Sequence, residues 1–88
     1  MAVEMPVCIR QPGSEDHVET TVDVSRGGLR FASRRVYLPG TYVQVAVPYS
    51  PAALNVFLDA RVVHGTKLPS RELYRYGVKY VAENEPSW

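Results

Sequence analysis

The run Thr21-Val22-Asp23-Val24-Ser25-Arg26-Gly27-Gly28-Leu29-Arg30-Phe31 holds the residues of this 88-residue chain best suited to chemistry by type and spacing. Asp23 and Ser25, two positions apart, carry short oxygen-bearing side chains that bind neighbouring backbone N–H groups in turns. Gly27 and Gly28 lack a Cβ, so they permit a positive φ or a close approach of backbone to another group. Arg26 and Arg30 flank them with guanidinium forks that fit phosphate, carboxylate and the guanine edge. By themselves these residues define either a strand-to-strand turn or the polar rim of a ligand site.

Other chemistry is thinner. Ser25, His17, His64, Asp23 and Asp59 include the residue types of a hydrolase triad, yet no spacing links them and no nucleophile elbow is present. No enzyme is expected. Two histidines without spaced partners argue against a metal site. The single Cys8 excludes an internal disulfide and reads as a small buried side chain. Ten Lys and Arg against nine Asp and Glu give a net charge of +1, so no global field points to nucleic acid or an anionic membrane. Eight of the ten basic residues are Arg.

The elements that must position these groups read as strands. Period-2 alternation recurs between Gly, Pro, Asn and Ser, and no helical apolar stripe of useful length occurs. Val3 to Ile9 is a first strand, closed by Gln11-Pro12-Gly13-Ser14. His17 to Val24 follows, with Val18, Thr20, Val22 and Val24 on one face. Leu29 and Phe31 point inward from a third strand. Leu38-Pro39-Gly40-Thr41 turns into Tyr42 to Val47, where Val43, Val45 and Val47 share a face. Asn55 to His64 places Val56, Leu58, Ala60 and Val62 on one side, but its other side is also partly apolar, which leaves room for a bulge or double burial. Tyr74 to Val81 is the last strand. Its Tyr74, Tyr76 and Tyr80 are expected in a barrel core rather than as a stacking stripe for single-stranded nucleic acid.

The expected fold is all-β, a small six-stranded antiparallel barrel with little or no helix, because closure removes exposed edges. A single domain is expected over residues 1–88, with the barrel at about 3–81 and a tail at 82–88. Apolar runs such as Val45-Ala46-Val47-Pro48 are too short to cross a membrane, and the opening residues have no signal-peptide pattern. A cytoplasmic location follows as the expectation. Phe57 and Trp88 are candidates for exposed aromatic anchors.

In these residues the chain resembles the PilZ family, bacterial domains that bind cyclic di-GMP. The family's [Asp/Asn]-x-Ser-x-x-Gly motif stands here as Asp23, Ser25 and Gly28. Leu29-Arg30-Phe31, Leu38-Pro39-Gly40-Thr41, Ala60-Arg61-Val62-Val63 and Tyr76-Gly77-Val78-Lys79-Tyr80 follow in the family's order, so the similarity spans roughly residues 3 to 81. The resemblance implies that Asp23, Ser25 and Gly28 face the ligand on the barrel surface. Asp23 would accept from guanine N1–H and its amine, and Ser25 with backbone N–H groups would bind phosphate. Ligand-binding members usually carry an Arg-x-x-x-Arg motif just before the first strand, and nothing matching precedes Val3. Arg26/Arg30, Arg30/Arg34 and Arg71/Arg75 have the spacing at other places. Of these, Arg26 and Arg30 are candidates to reach a phosphate, and Arg10, upstream of the motif, is a third. The sequence therefore points to a non-catalytic cyclic di-GMP receptor module that acts through contacts with a protein of motility, pilus or polysaccharide machinery. The alternative is a PilZ-like adaptor that binds protein alone.

Overall fold

Alternating apolar side chains build six strands: β1 (Pro6–Arg10), β2 (His17–Val24), β3 (Gly28–Ser33), β4 (Tyr42–Ala46), β5 (Leu58–Lys67) and β6 (Tyr74–Tyr80). The computed structural model describes residues 1–69 and 72–81. All neighbours pair antiparallel, in the closed order β1-β2-β3-β6-β5-β4. The expected barrel is what forms, with no helix among the described residues. In particular, no helix there is long and apolar enough to cross a membrane. The expected tail at 82–88, with Trp88, lies outside the described residues.

Two of the turns follow their sequences closely. Gln11-Pro12-Gly13-Ser14 and Leu38-Pro39-Gly40-Thr41 each close with an i→i+3 hydrogen bond, Ser14 N to Gln11 O at 3.0 Å and Thr41 N to Leu38 O at 3.1 Å. Each puts its glycine at positive φ, +82° and +87°, as a proline-then-glycine turn requires.

The core fills the barrel with Val7 and Ile9, Leu29 and Phe31, Val43 and Val45, Ala60 and Val62, and Tyr76 and Val78. Tyr74 and Tyr80 pack against it, half-buried, so the tyrosine stripe belongs to the core as expected. Tyr37, in the β3–β4 connection, closes one end with edge contacts to Phe31 and Tyr76, centroids 5.7 and 5.2 Å apart. Its backbone N–H donates to the Tyr76 hydroxyl, which in turn donates to Arg35 O. Burial, with Glu19 adding to it, pushes the Tyr37 phenol up to about 12. Cys8 is buried as expected, and that burial raises its thiol pKa.

Two strand faces differ from the pattern reading, and both strands carry a bulge. In β2, Val18 and Thr20 lie outside and Thr21 is the buried residue. A bulge between Thr21 and Asp23 then reverses the alternation, so Val24 packs on the core. Buried Thr21 is satisfied by residues 1–5, which run beside β2. Its hydroxyl donates to Val3 O at 2.6 Å and accepts from Met5 N at 3.0 Å. In β5, Ala60 and Val62 point inward as expected, but the strand begins at Leu58, and Val56 and Leu58 are exposed. A second bulge falls between Val62 and His64 and resolves the two-sided apolarity of that segment.

Candidate functional site

The two bulges aim side chains. Without the bulges, unbroken alternation would turn Asp23 to the inward face of Thr21 and His64 to that of Val62. With them, Asp23 and His64 both point outward, into one row of paired residues across four strands. Asp23 on β2 pairs with Arg30 on β3, Arg30 with Gly77 on β6, and Gly77 with His64 on β5. The adjacent outward row runs from Gly28 to Lys79 to Arg61. All of these but Arg61, together with Ser25, line a shallow groove of about 310 Å³.

Within the groove the Arg30 guanidinium forks onto one oxygen of Asp23, with Nε at 2.8 Å from Oδ2 and Nη2 on the same atom. That hydrogen bond holds the Asp23 carboxyl below the usual aspartate range. Arg75, two residues before Gly77 on the same face, adds a smaller attraction to Asp23. Arg75 is half-buried, and its Nε has no hydrogen-bond partner among the described residues. Its spacing partner Arg71 lies outside the described residues.

The motif loop is held by two donors converging on one acceptor. The Ser25 N–H and hydroxyl both donate to Gly28 O, at 2.8 and 3.1 Å. The hydroxyl is therefore free to turn to a ligand, because Gly28 O keeps the backbone bond. Neither Gly27 nor Gly28 takes a positive φ. Gly28 is instead a close-approach glycine: a Cβ there would lie 2.0 Å from Val78 O. Strand β6 thus passes directly against the motif backbone.

Of the residues singled out by sequence, Asp23, Ser25, Gly28 and Arg30 are brought together, and Arg26 is exposed on the same loop. Arg10 is not brought to them. It lies at the other end of β2, where β1 pairs Ile9 with His17, whereas Asp23 pairs with Ala2. Six residues of strand separate the two ends, about 20 Å. There Arg10 bonds Asp16, Nη2 to Oδ2 at 3.0 Å, and lies 3.8 Å above the ring of Phe57, which is half-buried rather than a free anchor. Asp59 also stands apart, accepting from Tyr42 Oη at 2.6 Å and Gln44 Nε2 at 3.2 Å. Ser25, Asp23 and His64 border one groove, with the Asp23 carboxylate turned to Arg30. No group of three or more His, Cys, Asp or Glu suited to a metal occurs among the described residues.

Sequence reasoning missed Lys79 and the role of His64 and Gly77 in the groove. The signal for Gly77 and Lys79 was their place on the outward face of a strand whose alternate residues are tyrosines. His64 depends on a one-residue bulge that no periodicity locates. A larger depression, about 750 Å³, lies elsewhere and is lined by residues including Glu4, Glu19, Arg34 and Arg35. Glu19 there accepts from the Ser33 hydroxyl, and the depression contains none of the motif residues.

The family model described as the PilZ domain matches residues 1–87. The solved structure of the Bacillus subtilis inhibitor of motility (MotI/DgrA) superposes with a TM-score of 0.73 at 14% identity. That match covers 99% of this chain but 42% of the Bacillus protein, so the likeness is one of fold over part of its length. No curated protein sequence matches the chain significantly. The barrel topology, the placement of Asp23-x-Ser25-x-x-Gly28 between β2 and β3, and the match over 1–87 agree: the chain belongs to the PilZ domain family.

Proposed function

We propose that this PilZ domain is a cyclic di-GMP-binding signalling module without catalytic activity, working in the cytoplasm and relaying the ligand through protein contacts. The observation that carries this is the shared groove. One carboxylate (Asp23), a turn hydroxyl (Ser25) and the cations Arg30 and Lys79 surround a glycine-floored surface at the family's motif. Asp23 matches the guanine donors N1–H and N2–H, and Ser25, Arg30 and Lys79 match its phosphates. Arg26, exposed on the same loop, is within the same region for a phosphate contact.

Calorimetric titration of cyclic di-GMP at about 150 mM salt tests this, since that ionic strength screens weak surface association. Micromolar or tighter binding is expected, with Asp23→Ala and Ser25→Ala each at least about tenfold weaker and still folded. Folded variants that bind as tightly as the parent overturn the assignment.

A second reading, a protein-only adaptor, is favoured by a separate feature. The β4–β5 connection and the start of β5 expose Leu54 fully, Val56 at 77% and Leu58 at 45%. In the first reading the same apolar rim serves as the output surface toward a partner, of the motility class named for the Bacillus structure or of pilus or polysaccharide machinery. Retention of a partner by the domain with no heat from the nucleotide selects the adaptor.

A further inference from the structure

Gly77 sits at the centre of the outward row, and the His64 imidazole lies over it. A Cβ at position 77 would meet His64 Cε1 at 2.5 Å and both ring nitrogens equally at 3.1 Å. The ring is thus laid across the strand with Cε1 leading, in space that any other residue at 77 would claim. The inner face of the same strand pair repeats the arrangement one residue along: Tyr76 covers Gly65, where a Cβ would lie 2.7 Å from its ring. There the similarity ends. Tyr76 is 2% exposed and is spent on the core, whereas His64 is exposed and borders the groove. A bulge at Val63 puts it there, in line with Asp23 and Arg30. Bulges of this kind re-aim side chains next to sites.

We propose that His64 is the stacking platform for a guanine base of the ligand, a role that rests on the cyclic di-GMP reading given above. The base lies on the imidazole, and its polar edge reaches Asp23. Gly77 stands two strand spacings from Asp23, about 9.6 Å, a span that a fused bicyclic base and one hydrogen bond bridge. Lys79, next on the outward face of β6 from Gly77, is placed for the adjoining phosphate. Aromatic stacking here supplies what a guanidinium face supplies elsewhere, since every base offers a π-face to a flat ring.

The experiment compares the parent with His64→Ala and His64→Phe, by calorimetry with cyclic di-GMP and by thermal melts. His64→Ala is expected to weaken binding about 5- to 100-fold, the usual range for losing one base–ring stack, while His64→Phe stays within about threefold of the parent. If His64→Ala does not fold, Gly77→Ala serves instead, because its Cβ drives the ring off the strand; the same loss is expected. Parent-like affinity in the alanine variant, even with a lowered melting temperature, overturns the proposal and leaves the imidazole as a cover for Gly77. So does a His64→Phe variant as weak as His64→Ala. A parent that does not bind at all overturns the ligand assignment and this role together, whereas a binding parent with unaffected variants overturns this role alone.

Discussion

Two arginine–aspartate pairs stand at opposite ends of β2, and only one borders the motif groove. Arg10 forks across both oxygens of Asp16 and Arg30 onto one oxygen of Asp23, and in both the guanidinium hydrogen bond holds the carboxyl below its ordinary range. Their arginines are almost equally exposed, 44% and 45%. Their surroundings differ. Arg10 is paired on one side and stacked on Phe57, so its fork and its face are both occupied. Arg30 has Gly77 beside it on β6, with His64 and Lys79 lining the same groove. An ion pair becomes part of a site when its neighbours lack side chains and carry unmatched charge. The glycines, more than the charges, separate the two regions.

The largest expected effect tests those glycines. Gly28→Ala sets a Cβ against Val78 O, a backbone atom that no rotamer change can move, so β3 and β6 must separate. A loss of about 2–4 kcal/mol is expected, read as a fall in melting temperature of about 10–25 °C. Gly13→Ala, in the turn on the Arg10 side, meets nothing within 4 Å and suffers only from its φ of +82°. It should cost about 1–2 kcal/mol. Equal melting temperatures for the two variants would remove the distinction.

Next comes the pair itself. Arg30→Met is expected to weaken cyclic di-GMP binding at least about tenfold, and Arg10→Met to leave it within about threefold, by calorimetry on both. A comparable loss at Arg10 would place that residue in the site after all.

The smallest effect is in the acid limb. A carboxyl whose folded-state pKa is depressed contributes stability above its unfolded value and loses it as pH falls through the folded one. Both pairs therefore favour the fold at neutral pH and lose that contribution progressively as pH falls below about 4 toward the lowered folded-state values. Carbon-detected NMR titration should show Asp16 and Asp23 ionising below ordinary aspartates. Arg30→Met should raise Asp23 alone toward the ordinary value, and Arg10→Met should raise Asp16 alone. Movement of both carboxyls in either variant would mean that the two ends are coupled.

Much of this was legible in the sequence. Alternation located all six strands, and the two proline–glycine turns fixed the entries to β2 and β4. Asp23, Ser25 and Gly28 are neighbours in sequence, so their grouping needed no tertiary information. What the pattern missed follows from single-residue insertions. Val22 and Val63 each reverse a face, which sent Val18 and Thr20 outward and brought His64 to the groove. β-Branched valines at both bulges look like any other strand residue. Of the two reasons the sequence offers for Gly28, the structure selects close approach, to Val78 O, and not a left-handed turn. Tyr37 was silent because it packs from a loop, outside any period.

The most direct test of the central claim is the map of backbone amide shifts as cyclic di-GMP is added to the isotope-labelled chain. The account predicts perturbations concentrated at Ser25, Gly27, Gly28, Arg30, His64, Gly77 and Lys79, with Arg10, Asp16 and Phe57 unmoved. Shifts centred on the Arg10 end, or none at ligand concentrations well above micromolar, would contradict it.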